Sequence, residues 1–155
     1  CNARRLADTS AEPLKEAARS GSDRIKPNMR ELKEIVPDRD VSSEAGQEEA
    51  LRFLIEEYGC RTVILSLGAA GVLLGTPDMM ERLRAPAVPI SSRVGAGDSM
   101  AAGILFGLSR NYDIRRAVIL GIAAGSAAVM TPGTELCRRE DVERLFEKME
   151  EYSIS

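Results

Sequence analysis

The segment whose residue types most suggest chemistry is Gly95-Ala96-Gly97-Asp98. Two glycines flank one small residue, and a helical pattern follows from Asp98 to about Ser109. Glycines let a backbone turn sharply and bring its N–H groups against a ligand. A helix that starts there adds unpaired N–H donors and the positive end of its dipole. Together they make an anion hole suited to a transferring phosphoryl group. Asp98 stands at its mouth, where a carboxylate can accept the proton of an attacking hydroxyl. A plainer role competes on even terms, because aspartate is also a preferred helix N-cap.

Other glycine motifs fit worse. A dinucleotide fingerprint needs a third glycine where Met100 stands, and no Gly-Lys-Ser/Thr of a Walker loop occurs. The chain has no histidine, which excludes any mechanism built on a histidine base. Cys1, Cys60 and Cys137 are far apart and odd in number, so neither a disulfide framework nor structural zinc is expected. Net charge is −3 and aromatics make up 4%, with no basic patch among them. Nucleic acid and anionic membranes are therefore poor partners. A small anion needs no basic protein, since backbone amides at a helix N-terminus can hold it.

The elements that must position these groups read as alternating helices and strands. The 155 residues match one domain, and 44% hydrophobic content can bury a core. Glu12 to Ala18 reads as a short helix and Arg24 to Pro27 as a brief extended piece. Pro27 keeps Lys26 out of helical angles, so the next helix starts near Asn28 and Pro37 stops it. Ser43 to Glu57 carries a helical stripe of Ala50, Leu51, Leu54 and Ile55, ended by Tyr58-Gly59. Thr62 to Leu67 reads as a buried strand, Gly68 to Gly71 as a turn, and Val72 to Leu74 as its hairpin partner. Arg82 to Ile90, broken by Pro86 and Pro89, reads as an edge strand or connection. Asp113 caps a helix from Ile114 to about Met130. Its apolar run, roughly Ala117 to Pro132, is short for a membrane span and is read as a buried helix. Glu140 to Glu151 is a last amphipathic helix with Val142, Leu145, Phe146 and Met149 inward. The alternation points to an α/β layered fold with few strands. The chain opens on Cys1 and not on Met, which hints at a fragment. With no signal peptide visible, the cytoplasm is expected.

At this point the residues carry a likeness. Val94-Gly95-Ala96-Gly97-Asp98-Ser99 is similar to the C-terminal signature of PfkB-type, ribokinase-like carbohydrate kinases. Lys26-Pro27-Asn28-Met29-Arg30-Glu31 resembles that family's Asn-x-x-Glu motif for Mg²⁺ and phosphate. Ser66-Leu67-Gly68-Ala69-Ala70-Gly71 resembles the strand-turn lining the nucleotide site. Ala123-Ala124-Gly125-Ser126-Ala127-Ala128 resembles the helix beside the adenine, and Asp8-Thr9-Ser10 a strand end facing the phosphates. All five stand in family order over essentially the whole chain. The closest branch phosphorylates already phosphorylated ketohexoses: minor-type 6-phosphofructokinase, 1-phosphofructokinase and tagatose-6-phosphate kinase. Gly133-Thr134-Glu135-Leu136-Cys137 and Ser99-Met100 point to the phosphofructokinase side.

The resemblance implies a fold, a reaction and roles. The fold is a ribokinase-like layered α/β structure, helices on a mainly parallel sheet with an antiparallel hairpin. Residues 1–155 would be its C-terminal nucleotide-binding part, without the N-terminal sugar-binding part and lid. Asp98 would deprotonate the sugar hydroxyl, and the Gly95, Ala96 and Gly97 backbone would stabilise the γ-phosphoryl group of ATP. Asn28 and Glu31, with Asp8, would orient Mg²⁺ through its waters. Lys26 would contact phosphate, Ser66, Gly68 and Gly71 would border ribose and phosphates, and Ser126 would wall the adenine. Three apart on a first helical turn, Asn28 and Glu31 share one face, and a hard cation wants oxygen ligands. Taken alone, the pair would be a helix cap with a first-turn acid. The partners implied are ATP, a phosphorylated sugar, the absent half and a second copy of the chain.

Two departures stand against the pattern. The family usually has a small polar pair before Val-Gly, where this chain has Ser92-Arg93. The loop there often binds a monovalent cation, so potassium dependence is an open expectation. Arg4-Arg5-Leu6-Ala7 is also more charged than a central strand should be. Three functions follow: a phosphofructokinase-like enzyme, a nucleotide-binding fragment without catalysis, or a remnant whose exposed apolar surface drives self-association. A kinase acting on another sugar or nucleoside is the enzymatic alternative.

Overall fold

The computed structural model describes residues 6–7, 11–20, 23–132 and 137–154. The expectations placed on Asp8-Thr9-Ser10 and on Gly133 to Leu136 lie outside the described residues. The chain divides into two compact units, Cys1–Leu83 and Arg84–Ser155.

The first unit runs β1 (Leu6–Ala7), α1 (Ala11–Arg19), β2 (Arg24–Ile25), α2 (Met29–Ile35), α3 (Glu44–Tyr58), β3 (Thr62–Ser66), β4 (Val72–Thr76) and β5 (Met79–Leu83). The strands form one sheet in the order β1-β2-β3-β4-β5. β1, β2 and β3 are parallel, and β4 and β5 continue the sheet antiparallel. The layered α/β expectation holds, and β1 stands at one end of the sheet. Helices α1, α2 and α3 pack on the strands and on one another. Their core is aliphatic: Leu14, Ile25, Leu32, Leu51, Leu54, Val63, Leu65 and Leu73 are fully buried. Cys60 is buried in it, and burial pushes its thiol up to about 11. Its reactive thiolate is therefore scarce at neutral pH.

Of the two readings of Arg82 to Ile90, the connection holds for residues 84–90, which have no regular structure, while the last strand of the sheet lies earlier, at Met79–Leu83. Thr76 pairs with Met79 across a two-residue Pro77-Asp78 turn, and the Asp78 N–H donates to Thr76 Oγ1 at 3.3 Å. An edge strand is covered on one side only. Met79 to Arg82 are accordingly half-buried, and no alternation of apolar and polar residues betrays them.

The second unit is helical: α4 (Ala96–Ser109), α5 (Ile114–Met130) and α6 (Arg139–Ile154). Every residue of α5 from Ala117 to Ala128 is buried, so the apolar run is a core helix. Among the described residues no helix is long and apolar enough to cross a membrane. α5 packs on both α4 and α6. Against α4 the approach is close. A Cβ on Gly103 would stand 2.9 Å from the Gly121 Cα, and one on Gly107 2.9 Å from the Ala117 Cα. A Cβ on Gly121 would stand 2.5 Å from Ile104 Cγ1 and 2.8 Å from the Met100 carbonyl oxygen. Against α6, the Arg116 guanidinium lies 5.5 Å from the Phe146 ring centroid and donates from Nε to Glu150 Oε1 at 2.6 Å.

Gly121→Ala should therefore overpack the α4–α5 contact and cost about 1–3 kcal/mol. Thermal unfolding followed by circular dichroism measures it. An unchanged melting temperature would mean that the helices do not meet at this glycine.

Candidate functional site

In the first unit, Asn28 ends the extended piece after β2 and opens α2. Its extended backbone (φ −91°, ψ 178°) forms a parallel bridge with Ser66 at the end of β3. The Ser66 N–H donates to the Pro27 carbonyl at 2.9 Å, so the two strand ends are bound side by side. Asn28 Oδ1 accepts the Glu31 N–H at 2.9 Å, and Glu31 Oε2 accepts the Asn28 N–H at 2.8 Å. This is a complete capping box. It leaves the Asn28 amide NH₂, a donor fit for phosphate oxygen, and Glu31 Oε1, an acceptor fit for metal-bound water. The local and the functional readings thus use different atoms of the same pair.

Beyond Ser66 the chain turns through Gly68–Ala70. Gly71 follows with φ 98° and ψ −129°, a conformation open to glycine alone. Its carbonyl accepts the Leu67 N–H at 2.8 Å and closes the turn. An open cleft of about 500 Å³ lies over this end of the sheet. Asn28, Ser66 and Gly68 line it. Arg30, an unassigned position of the Asn-x-x-Glu segment, lines it as well, with Gln47 and Arg82, to which no motif pointed. Arg82 donates from Nη1 to Gln47 Oε1 at 3.0 Å and from Nη2 to the Glu44 carbonyl at 2.9 Å, which ties β5 to the first turn of α3. Lys26 is buried, with 4% of its surface exposed, and does not line the cleft.

In the second unit, Gly95 takes a left-handed turn (φ 81°, ψ −1°) and is the N-cap of α4. Asp98 is consequently the third residue of the helix. The capping alternative for Asp98 falls, and the helix starts two residues earlier than its apolar pattern suggests. The first intrahelical bond runs from the Ser99 N–H to the Gly95 carbonyl at 2.9 Å, so the amides of Ala96, Gly97 and Asp98 precede it. No side chain caps them. Asn28, Ser43 and Asp113 cap α2, α3 and α5 with their side chains. Gly95, Gly97 and Asp98 are exposed, and no atom lies within 4 Å of where a Cβ on Gly95 or Gly97 would stand. The Asp98 carboxylate has no hydrogen-bond or ion-pair partner among the described residues. Ser126 is buried in α5, one residue beyond Gly125, whose Cβ would meet the Ala96 carbonyl oxygen at 3.2 Å.

Among the described residues no three His, Cys, Asp or Glu side chains gather around a common metal position. The free carboxylate oxygen of Glu31 suits a Mg²⁺ that keeps several of its waters.

The model of the pfkB family of carbohydrate kinases matches residues 3–141. The chain belongs to that family. It is 41% identical over 142 residues to the ATP-dependent 6-phosphofructokinase isozyme 2 of Mycobacterium tuberculosis, covering 92% of this chain and 41% of that protein. To the 1-phosphofructokinase of Bacillus subtilis it is 33% identical, with 94% and 46% covered. The crystal structure of phosphofructokinase-2 from Escherichia coli in complex with potassium superposes with a TM-score of 0.86 at 31% identity, over 94% of this chain and 47% of that one. This PfkB chain thus spans less than half the length of the curated relatives it matches.

The capping box makes a prediction separable from ligand binding. Asn28→Ala should cost about 1 kcal/mol of stability. Glu31→Gln should cost less, because its amide oxygen can still accept the Asn28 N–H. Equilibrium urea unfolding of both variants tests this, and equal midpoints for Asn28→Ala and the parent would refute the cap.

Proposed function

We propose that this chain is the C-terminal nucleotide-binding part of an ATP-dependent kinase acting on a hydroxyl of a phosphorylated ketohexose. The observation that carries the reading is the uncapped start of α4, with three amides and a partnerless carboxylate in one exposed helical turn. Membership of the pfkB family and the phosphofructokinase relatives support the reaction class.

In this reading the amides of Ala96, Gly97 and Asp98 receive the negative charge that spreads over the transferring phosphoryl group. They are fixed before the reaction, so little reorganisation opposes it. Asp98 accepts the proton of the acceptor hydroxyl as the new P–O bond forms and ADP leaves. Its freedom from internal hydrogen bonds suits a base. Asn28 offers NH₂ donors to phosphate oxygens, Ser66 and Gly68 border the nucleotide in the cleft, Gly71 holds their turn, and Ser126 lies on the adenine side. Mg²⁺, held through water by Glu31 with Asp8 as a further ligand, would supply charge neutralisation to the phosphates. Lys26, buried behind the cleft, is the phosphate contact that the geometry supports least. A monovalent cation would belong to the loop before Gly95.

A second reading has its own support. The chain covers less than half of its relatives, and a fragment without the sugar-binding part would bind nucleotide without transferring phosphate, because positioning supplies much of the rate.

Asp98→Asn in a complete protein carrying this segment should lower turnover by about 10²–10⁴-fold while nucleotide affinity changes little. Near-normal turnover would remove Asp98 from the mechanism. For the chain itself, calorimetric titration with Mg²⁺-ATP should show saturable binding. Gly97→Val should abolish it without unfolding the protein, since no atom stands where the new side chain begins. Transfer to fructose 6-phosphate by the chain alone would overturn the fragment reading in favour of a complete enzyme.

A further inference from the structure

We propose that Arg93 is an additional phosphate-binding residue, placing a guanidinium against the terminal phosphates held by the Gly95–Asp98 loop. The inference rests on the phosphoryl-transfer reading above and adds to it a residue in which this chain departs from the family pattern.

Arg93 is exposed and has no hydrogen-bond or ion-pair partner among the described residues. By contrast, Arg30, Arg61, Arg82, Arg116, Arg139 and Arg144 have their charge met by carboxylates within the protein. The backbone that carries Arg93 is held on both sides. The Ser91 and Ser92 N–H groups both donate to the Val129 carbonyl, at 2.6 and 3.1 Å, which pins the loop to the end of α5. The Val94 N–H donates to Ser92 Oγ at 3.2 Å, and Gly95 then turns directly into α4. Arg93 therefore lies two residues from the cap, roughly 7 Å of chain at most. An arginine side chain spans that distance. Its planar fork matches phosphate oxygens in pairs, and no competing partner has to be displaced.

Position also decides which part of a nucleotide it would meet. The amides of α4 face an anion, so a cation beside them adds to the same charge. The effect should therefore follow the number of phosphates and vanish with adenosine.

The test is calorimetric titration of the chain with Mg²⁺-ATP, ADP, AMP and adenosine, for the parent, Arg93→Gln, Arg93→Lys and Gly97→Val. Arg93→Gln should weaken Mg²⁺-ATP binding by about tenfold. The loss should shrink for AMP and be absent for adenosine, and the salt dependence of ATP binding should flatten. Arg93→Lys should restore part of the affinity, because it keeps the charge and loses the fork. Melting temperatures should stay at the parent value, as expected for an exposed side chain without partners. Unchanged ATP affinity in Arg93→Gln, with binding still abolished by Gly97→Val, would overturn this inference and leave the kinase reading standing. Equal losses for ATP and adenosine would also overturn it, by showing a structural role. Absence of saturable binding in the parent would overturn both.

Discussion

Gly103 of α4 and Gly121 of α5 meet backbone to backbone, and the second unit depends on that contact. A Cβ on either residue would fall within 3 Å of the other helix. Ala117 below and Gly125 above continue the same small-residue seam. Helices this close have little room to slide or rotate against each other. The start of α4 is therefore fixed by packing many residues away from it, and the Ala96 carbonyl rests directly over Gly125. Amides that hold a transition-state charge must not move as the charge forms. The seam holds the first turn of α4 in place without a capping side chain, as the proposed phosphoryl site would require.

The first unit reaches a similar rigidity by a different route. Its groups sit where two parallel strands end, and a bridge between Asn28 and Ser66 continues the sheet one step beyond the strands. The Asn28–Glu31 capping box then locks the first turn of α2. Both side chains retain atoms that the cap does not use, so stability and ligand binding do not compete for the same hydrogen bonds. The Gly71 conformation completes the frame, since a residue with a Cβ would strain the turn beside the cleft.

Most of the donors assembled this way are backbone amides or neutral side chains. In the proposed function, that is how a chain with a net charge of −3 would receive phosphate. The field is local. It comes from the first turn of a 14-residue helix and falls off within that turn.

The sequence by itself determined the helices, because their signals are local: Asn28, Ser43 and Asp113 as caps, Gly59 as a stop, and stripes of apolar residues at helical spacing. It also determined the β3–β4 hairpin and the position of Asp98 beside a glycine turn, since turns are written in neighbouring residues. Only the tertiary structure decided the rest. Strand β5 escaped because an edge strand needs no alternation, and its pairing partner lies across a turn that Pro77 and Asp78 mark only weakly. That Asp98 does not cap its helix was decided by the backbone at Gly95, which places the cap three residues upstream. Arg82 reached the cleft through the pairing of β5 with β4, and its hydrogen bond to Gln47 joins residues 35 positions apart. The burial of Lys26 followed from the packing around the end of β2, which no motif encodes.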